Sequence, residues 1–309
     1  MRGLTSFFFN ELYSGSLNNL LHYVKSDNTL DLEIRENYIN IYYRGGNILR
    51  VSIKKSCFQF HFDEKYLKNY TFLSIQTINN FKSNQDWNNF IPVAKQAIDF
   101  YFTKDKKQER EFQQLVIREN NNSSIANGTD YFIIDIEYDN HTNARFDLIA
   151  VEWPSVASIR KLAKGFKPKL VVIEMKYGDG SFKGSAGIHK HIEDFNVFKS
   201  ESIKVSKFMK EMLEVFKQKR DLGLIPCLSG IGKTNSNAVT EFAEDIEMIF
   251  LIANHDPASN ILQTELSGIQ NHDIKFITSN FMGYGFYQEN VFKYPEFIER
   301  YKTQILHEI

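Results

Sequence analysis

The sequence predicts an α/β (α+β) protein in which an N-terminal antiparallel β-rich unit precedes a mixed sheet flanked by helices. Three observations predict this class. Apolar residues alternate with period two from Leu30 to Phe62, the apolar period later changes repeatedly between helix and strand, and turn signals separate the runs. A charged run at residues 104–107 suggests a boundary that divides the chain into residues 1–105 and 106–309.

The first unit is expected to form three or four antiparallel strands followed by one helix. Gly45-Gly46 separates two alternating runs, and glycine reaches the positive φ that tight hairpins need. Apolar residues from Trp87 to Tyr101 recur at helical spacing, and Pro92 indicates that this helix begins or kinks near it. We expect this unit to bind substrate or to contact another protein.

The second unit is expected to alternate helices with strands. The predicted order is a helix at 108–118, strands at 131–138, 145–152 and 170–176, helices at 188–198 and 205–219, strands at 248–253 and 274–278, and a helix from Pro295. This order favours a mixed sheet with helices on its faces.

Composition and charge exclude several classes of protein. The 309 residues include 37 Lys+Arg and 38 Asp+Glu, so the formal net charge is −1, and a protein that coats nucleic acid is not expected. With 42% hydrophobic residues, the chain is also not a disordered one. The two distant cysteines, the absence of a secretory leader and the absence of a long apolar segment together predict a cytoplasmic protein without a membrane partner.

The carboxylates of two predicted strands carry the strongest chemical signal. The strand at 170–176 ends in Glu174-Met175-Lys176, and strand side chains alternate, so Glu174 and Lys176 share a face. The preceding strand places Asp147 alone in an apolar run. If the two strands are neighbours, two carboxylates and one ammonium meet at the end of the sheet. Hard oxygen ligands of this kind suit Mg²⁺ or Mn²⁺. The alternative is a structural ion pair of Lys176 with Asp147 or Glu174.

Context distinguishes this triplet from others of the same form. An acid, any residue and then lysine also occurs at Asp63–Lys65, Asp105–Lys107 and Asp273–Lys275. Among these triplets, only Glu174–Lys176 follows a predicted strand that carries an acid between apolar residues.

The order of a helix, the Asp147 strand and the Glu174-Met175-Lys176 strand resembles the PD-(D/E)xK nuclease superfamily, which includes restriction enzymes and Holliday-junction resolvases. The resemblance covers about residues 109–195. The run Gln-Glu-Arg-Glu-Phe at 108–112 is similar to the opening helix of the resolvases, which makes Glu109 the helix acid and Glu111 the alternative. Two features depart from the pattern: Arg145-Phe146 replaces a proline before Asp147, and a long insertion separates Asp147 from Glu174.

The resemblance implies a restriction-endonuclease-like core that hydrolyses phosphodiester bonds with Mg²⁺ or Mn²⁺. Asp147, Glu174, the Met175 carbonyl and Glu109 would bind the metal, and Lys176 would orient or deprotonate the attacking water or stabilise the oxyanion. Nucleic acid is the implied partner, with DNA favoured over RNA. A homodimer is compatible with the resemblance. The alternative function is a catalytically inactive nucleic-acid-binding or protein-interaction member of the same fold.

Basic residues near the predicted site are candidates for contacts with phosphates. The loop between the second and third strands of this unit is expected to flank the site and to contact the nucleic-acid backbone, with a solvated loop as the equal alternative. A helix after the glycine-dense segment 178–187 adds two further candidates, which could instead be ordinary exposed residues. The candidates are Arg160, Lys161, Lys164 and Lys167 in the loop and Lys190 and His191 in the helix.

Two acids on the strand at 131–138 leave a choice open. Asp135 and Glu137 share a face of this strand, because side chains two residues apart point the same way. One of them could join the acidic cluster, and cross-strand pairing with Lys or Arg is an equal alternative.

Overall fold

Two β-sheets and the helices packed against them form the structure. The computed structural model describes residues 1–68, 73–122, 128–139, 145–161, 166–229, 239–256, 258–270, 273–279 and 290–307. A four-stranded antiparallel sheet lies in the N-terminal part, and a six-stranded mixed sheet follows. The predicted combination of these two sheets with flanking helices is confirmed.

The N-terminal sheet is a meander in which every strand pairs with the next along the chain. Its strands are β1 (Leu30–Ile34), β2 (Tyr38–Tyr43), β3 (Gly46–Lys54) and β4 (Cys57–His61). The β2–β3 turn has positive φ at Arg44 and Gly45, as predicted for a tight hairpin. Glycine is also needed at position 45 because an added Cβ would lie 2.5 Å from the Cβ of Arg110.

Helices surround this sheet, and three of them were not predicted. They are α1 (Ser6–Tyr13), α2 (Asn18–Ser26), α3 (Ile75–Ser83) and α4 (Trp87–Lys104), of which only α4 was expected. The side chain of Asp86 caps the first turn of α4. Pro92 therefore lies inside this helix and not at its start.

The second unit has the predicted alternation of helices and strands. Its elements are α5 (Gln108–Ile117), β5 (Tyr131–Asp139), β6 (Arg145–Glu152), α6 (Ala157–Lys161), β7 (Lys169–Tyr177), α7 (Ile188–Ser200), α8 (Ser202–Asp221), α9 (Pro226–Ser229), β8 (Ile246–Ala253), α10 (Ile261–Ser267), β9 (Lys275–Ser279), β10 (Phe292–Lys293) and α11 (Tyr294–His307). None of the described helices is long and apolar enough to cross a membrane.

The six-stranded sheet has the order β10-β9-β8-β7-β6-β5. The strands β5, β6 and β7 pair antiparallel, whereas β7, β8 and β9 pair parallel. Residues 170–176 of β7 are all buried, because this strand has neighbours on both sides and apolar layers on both faces. The charged residues at its end are therefore held in a largely dry environment.

The two parts of the chain share one hydrophobic core. A single buried cluster contains Phe8 and Ile41 of the first part together with Val172 and Phe216 of the second. The charged run at residues 104–107 joins α4 to α5 at the predicted boundary, but the core continues across it.

Candidate active site

The start of β6 and the end of β7 bring two carboxylates face to face. At this end of the antiparallel pair Leu148 lies opposite Ile173, so the next position along both strands places Asp147 opposite Glu174. The backbone N–H of Met175 donates to Asp147 Oδ2 at 2.8 Å. The predicted adjacency of these strands is confirmed.

Lys176 lies on the same face as Glu174 and is held by two acceptors. Its Nζ donates to Glu174 Oε1 at 2.9 Å and to the backbone oxygen of Ala186 at 2.7 Å. Both charged side chains are almost completely buried, with Glu174 and Lys176 each 3% exposed. A lysine ammonium has three N–H donors. Because the described residues accept two of them, one donor remains for water or substrate.

The Ala186 carbonyl was not anticipated from the sequence. It belongs to the glycine-dense segment that follows β7, where Gly178 and Gly184 both have positive φ. These two glycines allow the chain to return over the end of its own strand. The high frequency of glycine in this segment could therefore have predicted that its backbone passes close to Lys176.

The two facing carboxylates resist ionisation. Burial raises the pKa of Asp147 to about 6, and the nearby charge of Glu109 adds to this, whereas the Met175 N–H and Lys176 act to lower it. Burial and the charge of Asp147 raise the pKa of Glu174 well above its usual range. Glu174 Oε2 is buried and accepts no hydrogen bond from the described residues. Crowded acids with an unused oxygen are typical of a site prepared for a cation.

Of the two acids at the start of α5, Glu109 is the one whose charge acts on this cluster. Arg44 binds Glu111 through two hydrogen bonds of 2.7 and 3.2 Å, which directs that carboxylate away from the strand ends. The charge of Glu109, in contrast, acts on Asp147. Loss of hydration raises the pKa of Glu109 although its side chain reaches solvent, while the charge of Lys176 acts to lower it. Glu109 is therefore a solvent-exposed acid whose charge acts on the carboxylate of Asp147.

Aromatic packing positions α5 against the end of β7. The ring of Phe112 contacts the ring of Tyr177, with centroids 5.5 Å apart. Phe112 lies one helical turn beyond Glu109, and Tyr177 directly follows Lys176. This contact accordingly fixes the start of the helix beside the charged end of the strand.

The donor set suits a hard divalent cation that keeps part of its water shell. No three His, Cys, Asp or Glu side chains within the described ranges form a ready-made metal-binding group. Mg²⁺ is commonly bound through one or two carboxylates, with waters and substrate phosphates completing its coordination. Asp147 and Glu174, with the unused Glu174 Oε2, fit that requirement.

The described ends of the basic loop between β6 and β7 do not flank these carboxylates, contrary to our expectation. Glu152 pairs with Lys169 at the end of the hairpin that the loop connects. Asp147 lies five residues from Glu152, which is about 17 Å along a strand. In an antiparallel pair, the start of the first strand and the end of the second are farthest from the connecting loop. The position predicted for the loop is therefore wrong.

The loop residues also have other partners. Arg160 is buried, and its guanidinium donates to the backbone oxygens of Thr129 and Trp153, so its prediction as a phosphate contact is wrong. Lys167 forms an ion pair of 2.8 Å with Glu241. The side chain of Lys161 and the whole of Lys164 lie outside the described residues.

The two helix candidates differ from one another. Lys190 is exposed and forms ion pairs with Glu193 and Asp194 one turn along α7. This agrees with the alternative that Lys190 is an ordinary exposed residue. His191 is only 18% exposed at its side chain, and its Nε2 lies 3.1 Å from Glu174 Oε1. Burial and the charge of Lys176 lower the pKa of His191 to about 4. At neutral pH the imidazole is therefore uncharged and belongs to the carboxylate cluster.

The acids of β5 pair with arginines, although these do not lie on the neighbouring strand as the cross-strand alternative expected. Asp135 is fully buried between the guanidinium groups of Arg2 and Arg35. Glu137 forms an ion pair of 3.0 Å with Arg110. Neither side chain forms a hydrogen bond with Asp147 or Glu174 among the interactions that the structure describes.

A further acid–imidazole pair lies just beyond the ends of β7 and β8. His255 Nδ1 and the backbone N–H of Asp256 both lie 3.1 Å from Asp179 Oδ1. Burial acts to raise the pKa of Asp179, but hydrogen bonds from Ser259, Asp256 and His255 outweigh it and lower the pKa. No local sequence pattern predicts this pair, because it depends on two strands that are distant in the chain and parallel in the sheet.

Comparisons with known proteins add no assignment to this geometry. The chain matches no protein-family model, no curated protein and no solved structure. The resemblance to the PD-(D/E)xK superfamily is therefore neither supported nor refuted by them, and a function must be argued from the arrangement of Asp147, Glu174 and Lys176.

Proposed function

We propose that this chain is a divalent-metal-dependent nuclease that hydrolyses phosphodiester bonds in DNA, with a restriction-endonuclease-like core at residues 106–309. The observation that carries the proposal is the placement of Asp147 opposite Glu174, with Lys176 on the same face. The choice of DNA follows from the sequence resemblance of residues 109–195 alone.

Asp147 and Glu174 would hold Mg²⁺ or Mn²⁺, and Glu109 and the Met175 carbonyl are the further candidate ligands. A bound cation of this kind lowers the pKa of a water molecule and balances negative charge on the scissile phosphate. Binding would also offset the burial of the two carboxylates, which raises the pKa of each, and the charge of Asp147, which raises the pKa of Glu174 further.

Lys176 would act on the water or the phosphate through its third N–H donor. Because Glu174 and the Ala186 carbonyl already fix the ammonium, it needs little reorganisation when charge develops in the transition state. His191 is a positioning residue in this scheme. Its Nε2 lies 3.1 Å from Glu174 Oε1, so the imidazole packs against this carboxylate and restricts its rotation.

The rival is a structural ion pair in a catalytically inactive protein. The 2.9 Å contact between the buried Lys176 and Glu174 favours it, since such a pair can hold a fold together. The charge balance favours the nuclease, because Asp147 and Glu174 share one ammonium and an uncharged imidazole, and the charge of Glu109 also acts on Asp147. A pair that served stability alone would not need the additional acids.

Cleavage of plasmid DNA with Mg²⁺, with Mn²⁺ and with EDTA tests the proposal. Lys176→Ala should reduce metal-dependent cleavage by about 100-fold or more. The matched control is Lys169→Ala, because Lys169 lies on the same strand at the opposite end and also binds an acid, Glu247, at 2.5 Å. Cleavage that resists EDTA, or that both variants reduce equally, would overturn the proposal. An RNA of the same sequence, assayed in parallel, tests the choice of DNA.

A further inference from the structure

The outer edge of the N-terminal sheet is open. The strand order places β4 at this edge, with β3 as its strand partner within the described part of the chain. Its sequence, Cys-Phe-Gln-Phe-His, contains none of the Lys, Glu, Asp, Arg or Pro residues that commonly prevent other chains from adding to a sheet. The edge is therefore chemically able to accept another strand.

The β3–β4 turn determines which backbone groups face outward. Lys55 and Ser56 both have positive φ, which identifies a two-residue hairpin turn. In such a hairpin the flanking residues, Lys54 and Cys57, form a hydrogen-bonded pair, and hydrogen-bonded pairs then alternate along the strands. The N–H and C=O groups of Phe58 and Phe60 consequently point away from β3. No backbone hydrogen bond to another described element occupies them.

A groove of about 1180 Å³ accompanies this edge. All five residues of β4 line it, together with residues of α1, of β3 and of the C-terminal end of α3. Phe7 of α1 is 50% exposed and stacks on Phe58, with ring centroids 6.1 Å apart. The groove therefore offers an apolar surface directly beside the outward-facing backbone groups.

The charges that line the groove favour an acidic ligand. Arg50, His61 and Lys82 contribute cationic or protonatable groups, and Glu11 is the acid among the lining residues. Glu11 Oε2 already accepts hydrogen bonds of 2.8 and 2.7 Å from the backbone N–H and hydroxyl of Ser16. A second copy of the chain would bring two such cationic grooves together, which electrostatic repulsion disfavours.

We propose that β4 binds an extended acidic peptide segment of a partner protein, which adds to the sheet as a fifth strand. The peptide backbone would bond to Phe58 and Phe60, its apolar side chains would contact Phe7, and its acidic side chains would face the basic residues of the groove. A nucleic acid would satisfy the charges of the groove but not the alternating backbone donors and acceptors of β4. This interaction does not depend on the proposed nuclease activity.

Hydrogen exchange of the full chain, followed by NMR with a defined probe, tests strand addition directly. The probe is an acetylated six-residue peptide of alternating Val and Glu, and the control peptide has Lys in place of Glu. The Glu peptide should slow exchange of the Phe58 and Phe60 amides, while the Gln59 amide, already bonded to β3, should not change. An unchanged rate at Phe58 and Phe60, or equal protection by the Lys peptide, would overturn the proposal.

A pair of charge-reversal variants tests the role of the groove. Lys82 and Lys104 both lie in the last turn of a helix, so Lys82→Glu and Lys104→Glu carry a similar cost at the helix end. Lys82→Glu should weaken binding of the Glu peptide about threefold or more, and Lys104→Glu should not. Three results would each overturn the proposal that β4 binds an acidic peptide. They are equal effects of both variants, tighter binding of oligo-dT than of the peptide, and dimerisation through β4.

Discussion

Replacing Asp147 by asparagine should stabilise the metal-free protein at pH 8. The pKa of this carboxyl rises from 3.8 to about 6 on folding, so ionised Asp147 costs about 3 kcal/mol at pH values above both pKa values. Asparagine removes the charge and keeps the shape. The hydrogen bond from the Met175 N–H already acts to lower this pKa, so its contribution is included in that figure. The expected gain in unfolding free energy is therefore about 2–3 kcal/mol, or about 3–5 °C in Tm.

The pH dependence has a defined sign. A carboxyl whose pKa is raised by folding destabilises the protein when it is ionised, and this penalty disappears as the pH falls through about 6 towards 3.8. The advantage of Asp147→Asn should therefore be largest at pH 8 and about half as large at pH 5. Urea unfolding in EDTA at both pH values measures it.

The matched control is Asp135→Asn on the neighbouring strand. Asp135 is fully buried between Arg2 and Arg35, so its neutralisation should leave two cations without their counter-ion and cost about 3–5 kcal/mol. The two substitutions are chemically identical and should have opposite signs. If Asp147→Asn instead destabilises the protein at pH 8 as Asp135→Asn does, Asp147 is a structural residue and the reasoning for a cation site fails.

Two further predictions concern the metal and the helix acid. Mg²⁺ at about 100 times its Kd should add about 2.7 kcal/mol to the unfolding free energy of the wild type and little to that of Asp147→Asn. Urea titration measures both values, and equal gains in the two proteins would contradict the metal site. Glu109→Gln should reduce DNA cleavage about tenfold or more. Glu111→Gln should leave cleavage unchanged and cost at most about 1 kcal/mol, because its pair with Arg44 is partly exposed; the reverse pattern would assign the role to Glu111.

Local periodicity was sufficient to predict the carboxylate pair. Period two assigned Glu174 and Lys176 to one face of their strand, and the apolar neighbours of Asp147 indicated a buried strand. The remaining condition, adjacency of β6 and β7, is the usual arrangement for consecutive strands. The pairing of Leu148 with Ile173 then makes Asp147 and Glu174 direct neighbours.

The predicted position of the basic loop was wrong for a topological reason. Closeness in sequence suggested that the basic loop lies near the acids, but an antiparallel hairpin separates its loop from its open end. The burial of Arg160 has a different cause, because its partners are backbone oxygens of Thr129 and Trp153, which no side-chain pattern reveals.

The missed helix α1 shows a limit of apolar patterns. Three consecutive phenylalanines at residues 7–9 hide the helical period, because the pattern does not show which of them is buried. In the structure Phe8 and Leu12 are fully buried at a spacing of four, whereas Phe7 is half exposed. Only packing against the sheet distinguishes these positions.

Charge balance, rather than burial, separates the candidate active site from the buried acid of the neighbouring strand β5. Asp135 on β5 is as deeply buried as any acid of the site, but two arginines neutralise it. On β6 and β7, Asp147 and Glu174 share a single ammonium, that of Lys176, and the pKa of both acids is raised. A surplus of carboxylates costs folding energy and persists only where another cation offsets it. The opposite signs expected for Asp147→Asn and Asp135→Asn test this difference within one protein.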